Sequence, residues 1–130
     1  MDESTETVSP NDPAAPVRRR LGNVPLTPVG IRQAVDLIGG WAGRPPFRLV
    51  VTPNVDHIMT LQRDAAFRDA YGRAELSLAD GAPVVWAARY LGLGSIEKVS
   101  GSDLTPELCR RGEEKGWRVS FAGGKTEQDL

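Results

Sequence analysis

The chain has 130 residues, 40% of them hydrophobic and 25% charged, with a net charge of −1. That suffices for one soluble globular domain, and the near-balanced charge argues against general nucleic-acid binding, which shows a basic excess or stripe. The single cysteine, Cys109, excludes an intramolecular disulfide, and the single histidine, His57, excludes a multi-histidine metal cluster while leaving a carboxylate magnesium site open.

Met1 to Pro16 is rich in Ser, Thr, Pro, Asp and Glu and has almost nothing to bury, so residues 1–20 read as a disordered tail. Arg18-Arg19-Arg20 at its end reads as a solvated turn or arm edge, or as a contact with anionic lipid or phosphate. Order is expected over residues 21–130. Thr27-Pro28 looks like an N-cap with proline at the first helical position, followed by Ile31, Val35 and Ile38 at helical spacing. Gly39-Gly40 weakens the end of that helix, and Gly43 with Pro45-Pro46 rules out its continuation. Phe47 to Val51 reads as a strand covered on both faces.

The next segment reads as two helical pieces, with Asn54 before the first and Asp64 able to recap the second. His57, in the first turn, reads as a partly buried structural histidine close to the preceding strand exit. A strand is expected at Leu76 to Ala79, then a helix with Pro83 early and Val84, Ala88 and Leu91 as its buried stripe. Ile96 to Val99 reads as extended or as a short strand. Ser102 or Thr105 is expected to cap a helix to about Lys115, with Leu104 and Leu108 inward and Glu107 paired to Arg111. Cys109 reads as a small core residue of that helix. Trp117 to Ala122 reads as a last strand, with Gly123-Gly124 as its exit and a first helical turn or two after Lys125.

Strands alternating with helices imply an α/β fold with a parallel sheet and right-handed crossovers. No apolar run approaches the roughly 20 residues needed to span a bilayer. Asp2, Glu3 and Glu6 stand where a signal peptide would be basic, so a cytoplasmic location is expected.

Three strand exits carry polar or glycine-rich residues: Thr52-Pro53-Asn54, Asp80-Gly81 and Gly123-Gly124-Lys125-Thr126. Each has an ordinary use as a helix cap or tight turn. Together they suggest a pocket, because ligands of open α/β sheets bind at the carboxyl edge. Lys98 to Asp103 adds a lysine, hydroxyls and a glycine before a helix N-terminus, where backbone N–H groups can receive an anion. Two nucleotide motifs fail. Gly124-Lys125-Thr126 lacks the P-loop glycine, Val119 standing there, and Gly92-Leu93-Gly94 comes after a helix and has Glu97 at the third glycine position.

With these residues in view, the chain from about Leu21 onward resembles the WecG/TagA/CpsF glycosyltransferases. The resemblance is carried by Thr52-Pro53-Asn54, Asp64, Leu78-Ala79-Asp80-Gly81 and Arg89, then by Glu97 to Leu104 and Phe121-Ala122-Gly123-Gly124. It implies a Rossmann-like parallel sheet with flanking helices. It also implies inverting transfer of a sugar, typically N-acetylmannosamine, from a UDP donor to polyprenyl-diphosphate-linked N-acetylglucosamine. The work would be done at the inner face of the membrane for cell-surface polysaccharide or teichoic acid synthesis, with no metal or other cofactor.

In the same resemblance Asp80 matches the aspartate proposed as base, and Thr52 and Asn54 match pocket positions, with Gly81 beside them on the substrate side. Lys98, Ser100 and Gly101 would help hold diphosphate, and Gly123 and Gly124 would shape the nucleotide side. Lys98 stands where arginine is expected, which loses the bidentate fork to phosphate. The resemblance leaves peripheral membrane contact and a homo-oligomer open. It also implies a domain that continues well past Leu130, so the chain reads as the truncated N-terminal half. A non-catalytic sugar-nucleotide-binding module or an inactive remnant is the alternative reading.

Overall fold

A computed structural model describes residues 18–123. The acidic tail before Arg18, Gly124, and the helical turn expected after Lys125 lie outside the described residues. Among those described, the chain is mixed α/β, with five helices and two small sheets, one antiparallel and one parallel.

The described residues open with a hairpin not expected from the sequence. Strand β1 (Arg19–Leu21) pairs antiparallel with β2 (Val24–Leu26). Gly22 turns the chain at φ 60° in the first position of the two-residue loop, the place a tight hairpin gives to glycine. Leu21, Val24 and Leu26 enter the core. Arg19 reaches the carbonyl of Leu93 and so ties the hairpin to the loop after the fourth helix.

Thr27 is not a helix cap. Its N–H donates to the Ser77 carbonyl (2.7 Å), and its Oγ1 accepts from the Ser77 N–H (3.0 Å). Both residues are 2% exposed. Helix α1 (Ile31–Trp41) therefore starts later, with Gly30 as N-cap and no side-chain cap bond. The Glu97 carboxylate packs against Gly30, where it favours the positive end of the helix dipole.

The expected strand from Phe47 shrinks to β3 (Val50–Val51): Phe47 is exposed, and Arg48 and Leu49, though partly covered, lie outside the strand. β3 pairs in parallel with β4 (Leu76–Ser77). Pairing continues beyond both strands through Glu75 N to Leu49 O (2.9 Å), Leu78 N to Val51 O (2.8 Å) and Asp80 N to Pro53 O (3.0 Å). Between them run α2 (Val55–Arg63) and α3 (Ala65–Gly72), divided at Asp64, which caps α3 by accepting from Phe67 N (2.9 Å). The two-piece reading with Asp64 as the break holds.

Helix α4 (Ala82–Tyr90) has its early proline and buries Val84 and Ala88, but Leu91 lies past its end and is exposed. Ile96 to Val99 forms no strand among the described residues, but Val99 N donates to Ala79 O (2.9 Å) on the flank of β4 away from β3. Helix α5 (Gly101–Lys115) starts earlier than expected, with Ser100 as its cap, so Pro106 lies inside the helix. Leu104 and Leu108 face the core as expected. Glu107 pairs with Arg110 rather than Arg111, and Arg111 crosses to Asp36 of α1 (2.8 Å).

Trp117 to Ala122 forms no strand among the described residues, and Val119 and Phe121 are exposed. The Trp117 indole instead packs where Gly39 and Gly112 let it approach α1 and α5.

Alternation along β3 and β4 builds two cores. Leu76, Leu78 and Val50 face α1 and α5, whereas Val51 and Ala79 face the hairpin and α2, α3 and α4. Among the described residues no helix is long and apolar enough to cross a membrane.

The buried Thr27–Ser77 contact can be tested by stability. Thr27→Val removes the acceptor of the buried Ser77 N–H and should cost about 1–3 kcal/mol in urea unfolding. Ser77→Ala should be neutral or stabilising, because Ser77 Oγ is buried with no partner among the described residues. A second outcome concerns Tyr71, whose phenol burial pushes above its ordinary value of 10.0. Above that pH the unfolded phenol ionises while the folded one resists. Its stabilisation is therefore complete below pH 10 and lost as pH rises through the folded value. In an absorbance titration, Tyr71→Phe should delete a phenol step that lies above the ordinary value of 10.0.

Candidate active site

Three chain segments meet at the carboxyl end of the parallel pair. The first leaves β3 through Thr52-Pro53-Asn54 into α2, and the second leaves β4 through Asp80-Gly81 into α4. The Asp80 N–H bond to Pro53 O sets these two exits side by side, and Pro53 is fully buried beneath them. The third enters from the opposite flank: Val99, bonded to Ala79 O, leads through Ser100 into α5. Gly101 closes the gap to the first exit, since a methyl group there would stand 3.5 Å from Thr52 Oγ1. Thr52, Asn54, Asp80, Gly81, Ser100 and Gly101 are thus brought to one rim.

The side chains divide between holding the rim and facing it. Asn54 Oδ1 accepts from His57 N (2.9 Å), and Asn54 N donates to His57 Nδ1 (3.4 Å), a reciprocal cap at the start of α2. The His57 ring then leans on Phe67 and Tyr71, with centroids 5.9 and 6.3 Å away. The reading of His57 as a structural residue stands. Ser100 is 8% exposed and accepts from Asp103 N (3.2 Å), while its hydroxyl donates to Asp103 Oδ2 (2.7 Å). By contrast, no hydrogen bond or ion pair among the described residues engages the side chains of Thr52 or Asp80.

Gly81 takes φ 98°, a conformation that L side chains rarely adopt, and α4 begins with no side-chain cap. The N-termini of α2, α4 and α5 therefore open at the same rim, and each presents N–H groups and partial positive charge suited to an anion. Among the described residues no three carboxylate, thiol or imidazole groups cluster as metal ligands.

Two expected positions are exposed. Lys98 is exposed one residue before Val99, and no ion pair among the described residues holds it. Gly123 is exposed at φ 132° with open space around it, and Gly124 lies outside the described residues. The reciprocal His57 cap was missed in sequence, although Asn54 followed three residues later by a hydrogen-bonding side chain has the spacing of a capping box.

Residues 19–129 match the family described as "Glycosyl transferase WecG/TagA/CpsF family", so the match takes in every segment of the rim.

The cap assignment can be separated from any substrate role. Asn54→Ala should lower stability by about 1 kcal/mol, whereas Asn54→Asp should keep the cap and most of the stability. Urea unfolding of the two variants checks both.

Proposed function

The chain belongs to the WecG/TagA/CpsF glycosyltransferase family, and on that premise we propose that its rim is the acceptor side of an inverting sugar transfer. The reaction is movement of a hexose, N-acetylmannosamine, from a UDP donor to polyprenyl-diphosphate-linked N-acetylglucosamine. It serves cell-surface polysaccharide or teichoic acid synthesis at the inner face of the membrane. The central sheet is read as the Rossmann-like sheet of that fold.

The observation that carries this reading is the juxtaposition of Asp80 with Thr52 across the Asp80–Pro53 backbone bond. Inverting transfer needs a base that removes the acceptor hydroxyl proton as that oxygen attacks the anomeric carbon. The bond from the anomeric carbon to the phosphate oxygen breaks, the electron pair leaves on UDP, and the proton passes to the Asp80 carboxylate. A carboxylate with no protein partner among the described residues is free to accept it. Thr52 is read as orienting a sugar hydroxyl. The helix N-termini beside Gly81 and Gly101 suit the negative charge of a diphosphate, and Lys98, Ser100, Gly123 and Gly124 are assigned with them to the donor and diphosphate side.

Incubation with UDP-N-acetylmannosamine and a lipid-linked acceptor analogue reads the activity. Asp80→Asn keeps shape but cannot take the proton, and should lower kcat about 10²–10⁴-fold with unchanged folding. Turnover that survives this change intact would remove Asp80 from the role.

A further inference from the structure

The structure also holds a basic cleft that shares no residue with the rim. Strand alternation splits the Arg18-Arg19-Arg20 run. Arg19 turns to the Leu93 carbonyl, while Arg18 and Arg20 line a cleft of about 750 Å³ between the hairpin and α3. Pro25, the register partner of Arg20, lies in the same wall. From the helix come Arg68, Asp69 and Arg73. Four guanidiniums face one carboxylate, an excess of three positive charges on a chain whose net charge is −1.

Two of these groups are already set in place. Arg68 Nη1 donates to Leu61 O (2.8 Å) and Gln62 O (3.3 Å) in the last turn of α2, which fixes the guanidinium without neutralising it. Its Nε and Nη2 donors have no partner among the described residues. Arg73 pairs with Asp69 at 2.6 Å, and both side chains are exposed. Such a pair is worth little in water, so it screens the carboxylate while yielding readily to a stronger anion.

We infer that this cleft binds a multiply charged phosphate, a diphosphate or a phosphomonoester, through Arg18, Arg20, Arg68 and Arg73. The guanidinium fork matches phosphate oxygens two at a time, and several forks on one cleft favour a ligand with more than one negative charge. The volume lies within the roughly 300–1,000 Å³ of small-ligand sites, more than a lone carboxylate would fill.

Calorimetric titration of the whole chain with inorganic pyrophosphate at low salt reads the site. Saturable binding is expected, weakening as salt rises. Arg20→Gln with Arg73→Gln, both on exposed side chains, should weaken it about tenfold or more, since each removes a charge-assisted bond. Arg68→Lys, which keeps the charge and loses the fork, should weaken it by less. Removing the same charge from exposed Arg32 and Arg63, outside the cleft, should have little effect.

Co-sedimentation with phosphatidylcholine vesicles, with and without phosphatidic acid, separates the sources. Binding to the acidic vesicles that pyrophosphate reverses supports a lipid headgroup as the natural ligand. Pyrophosphate binding without vesicle binding supports a soluble phosphate. Absence of saturable pyrophosphate binding, or binding that the cleft variants leave as strong as the Arg32/Arg63 control, overturns the inference.

Discussion

A strand buried on both faces must place its backbone N–H and C=O groups on neighbours, because water cannot reach them. The segment from Leu76 to Asp80 meets that demand from two flanks. Leu78 and Asp80 bond the β3 side, and Ser77 and Ala79 bond Thr27 and Val99 on the other. The Thr27 hydroxyl stands in for a strand carbonyl opposite Ser77, and by doing so docks the hairpin onto the sheet. The rim depends on the same backbone. The bond from Asp80 to Pro53 sets two exits in register, and the bond from Val99 to Ala79 brings the third. The candidate chemistry is therefore positioned by main-chain pairing, with the side chains of the rim left to cap helices or to face substrate.

That division separates roles that residue type alone leaves equivalent. Asn, Ser, Thr and Asp after a strand all suit helix capping. Asn54 and Ser100 are occupied as caps, so their polar atoms are largely spoken for. Thr52 and Asp80 cap nothing, and Gly81, in the position before α4, takes a backbone conformation that Asp80 would adopt only with strain. The aspartate is thus displaced one residue ahead of the helix, out of the capping geometry and onto the rim.

Local chemistry at element boundaries was legible in the sequence. The recap at Asp64, the early Pro83, the inward Leu104 and the polar exits after β3 and β4 all arise from signals within a few residues. Long-range partners were concealed. Thr27-Pro28 carries a sound N-terminal signature, yet Ser77, fifty positions away, claims that threonine. Trp117 to Ala122 carries strand residues, but no backbone bond among the described residues joins it to a strand. Leu91 has the right helical spacing, but Gly92, at φ 73°, ends the helix before it can face inward. The hairpin was the exception, a local signal not read: Gly22-Asn23 between Leu21 and Val24 has the form of a two-residue loop.

Those arginines show how a strand converts composition into placement. Three consecutive like charges in a flexible arm would form a diffuse patch with screened reach. A strand with a period of two sends alternate residues to opposite sides, so one arginine becomes a structural tie and two become part of a concave surface. The rim attracts anions by different means, through helix N-termini whose partial charges are fixed by the backbone and fall off within a turn. Full guanidinium charges act over longer distances but respond strongly to salt. Ionic strength should therefore separate the two surfaces even when both meet the same phosphate, with the arginine cleft the more sensitive of the pair.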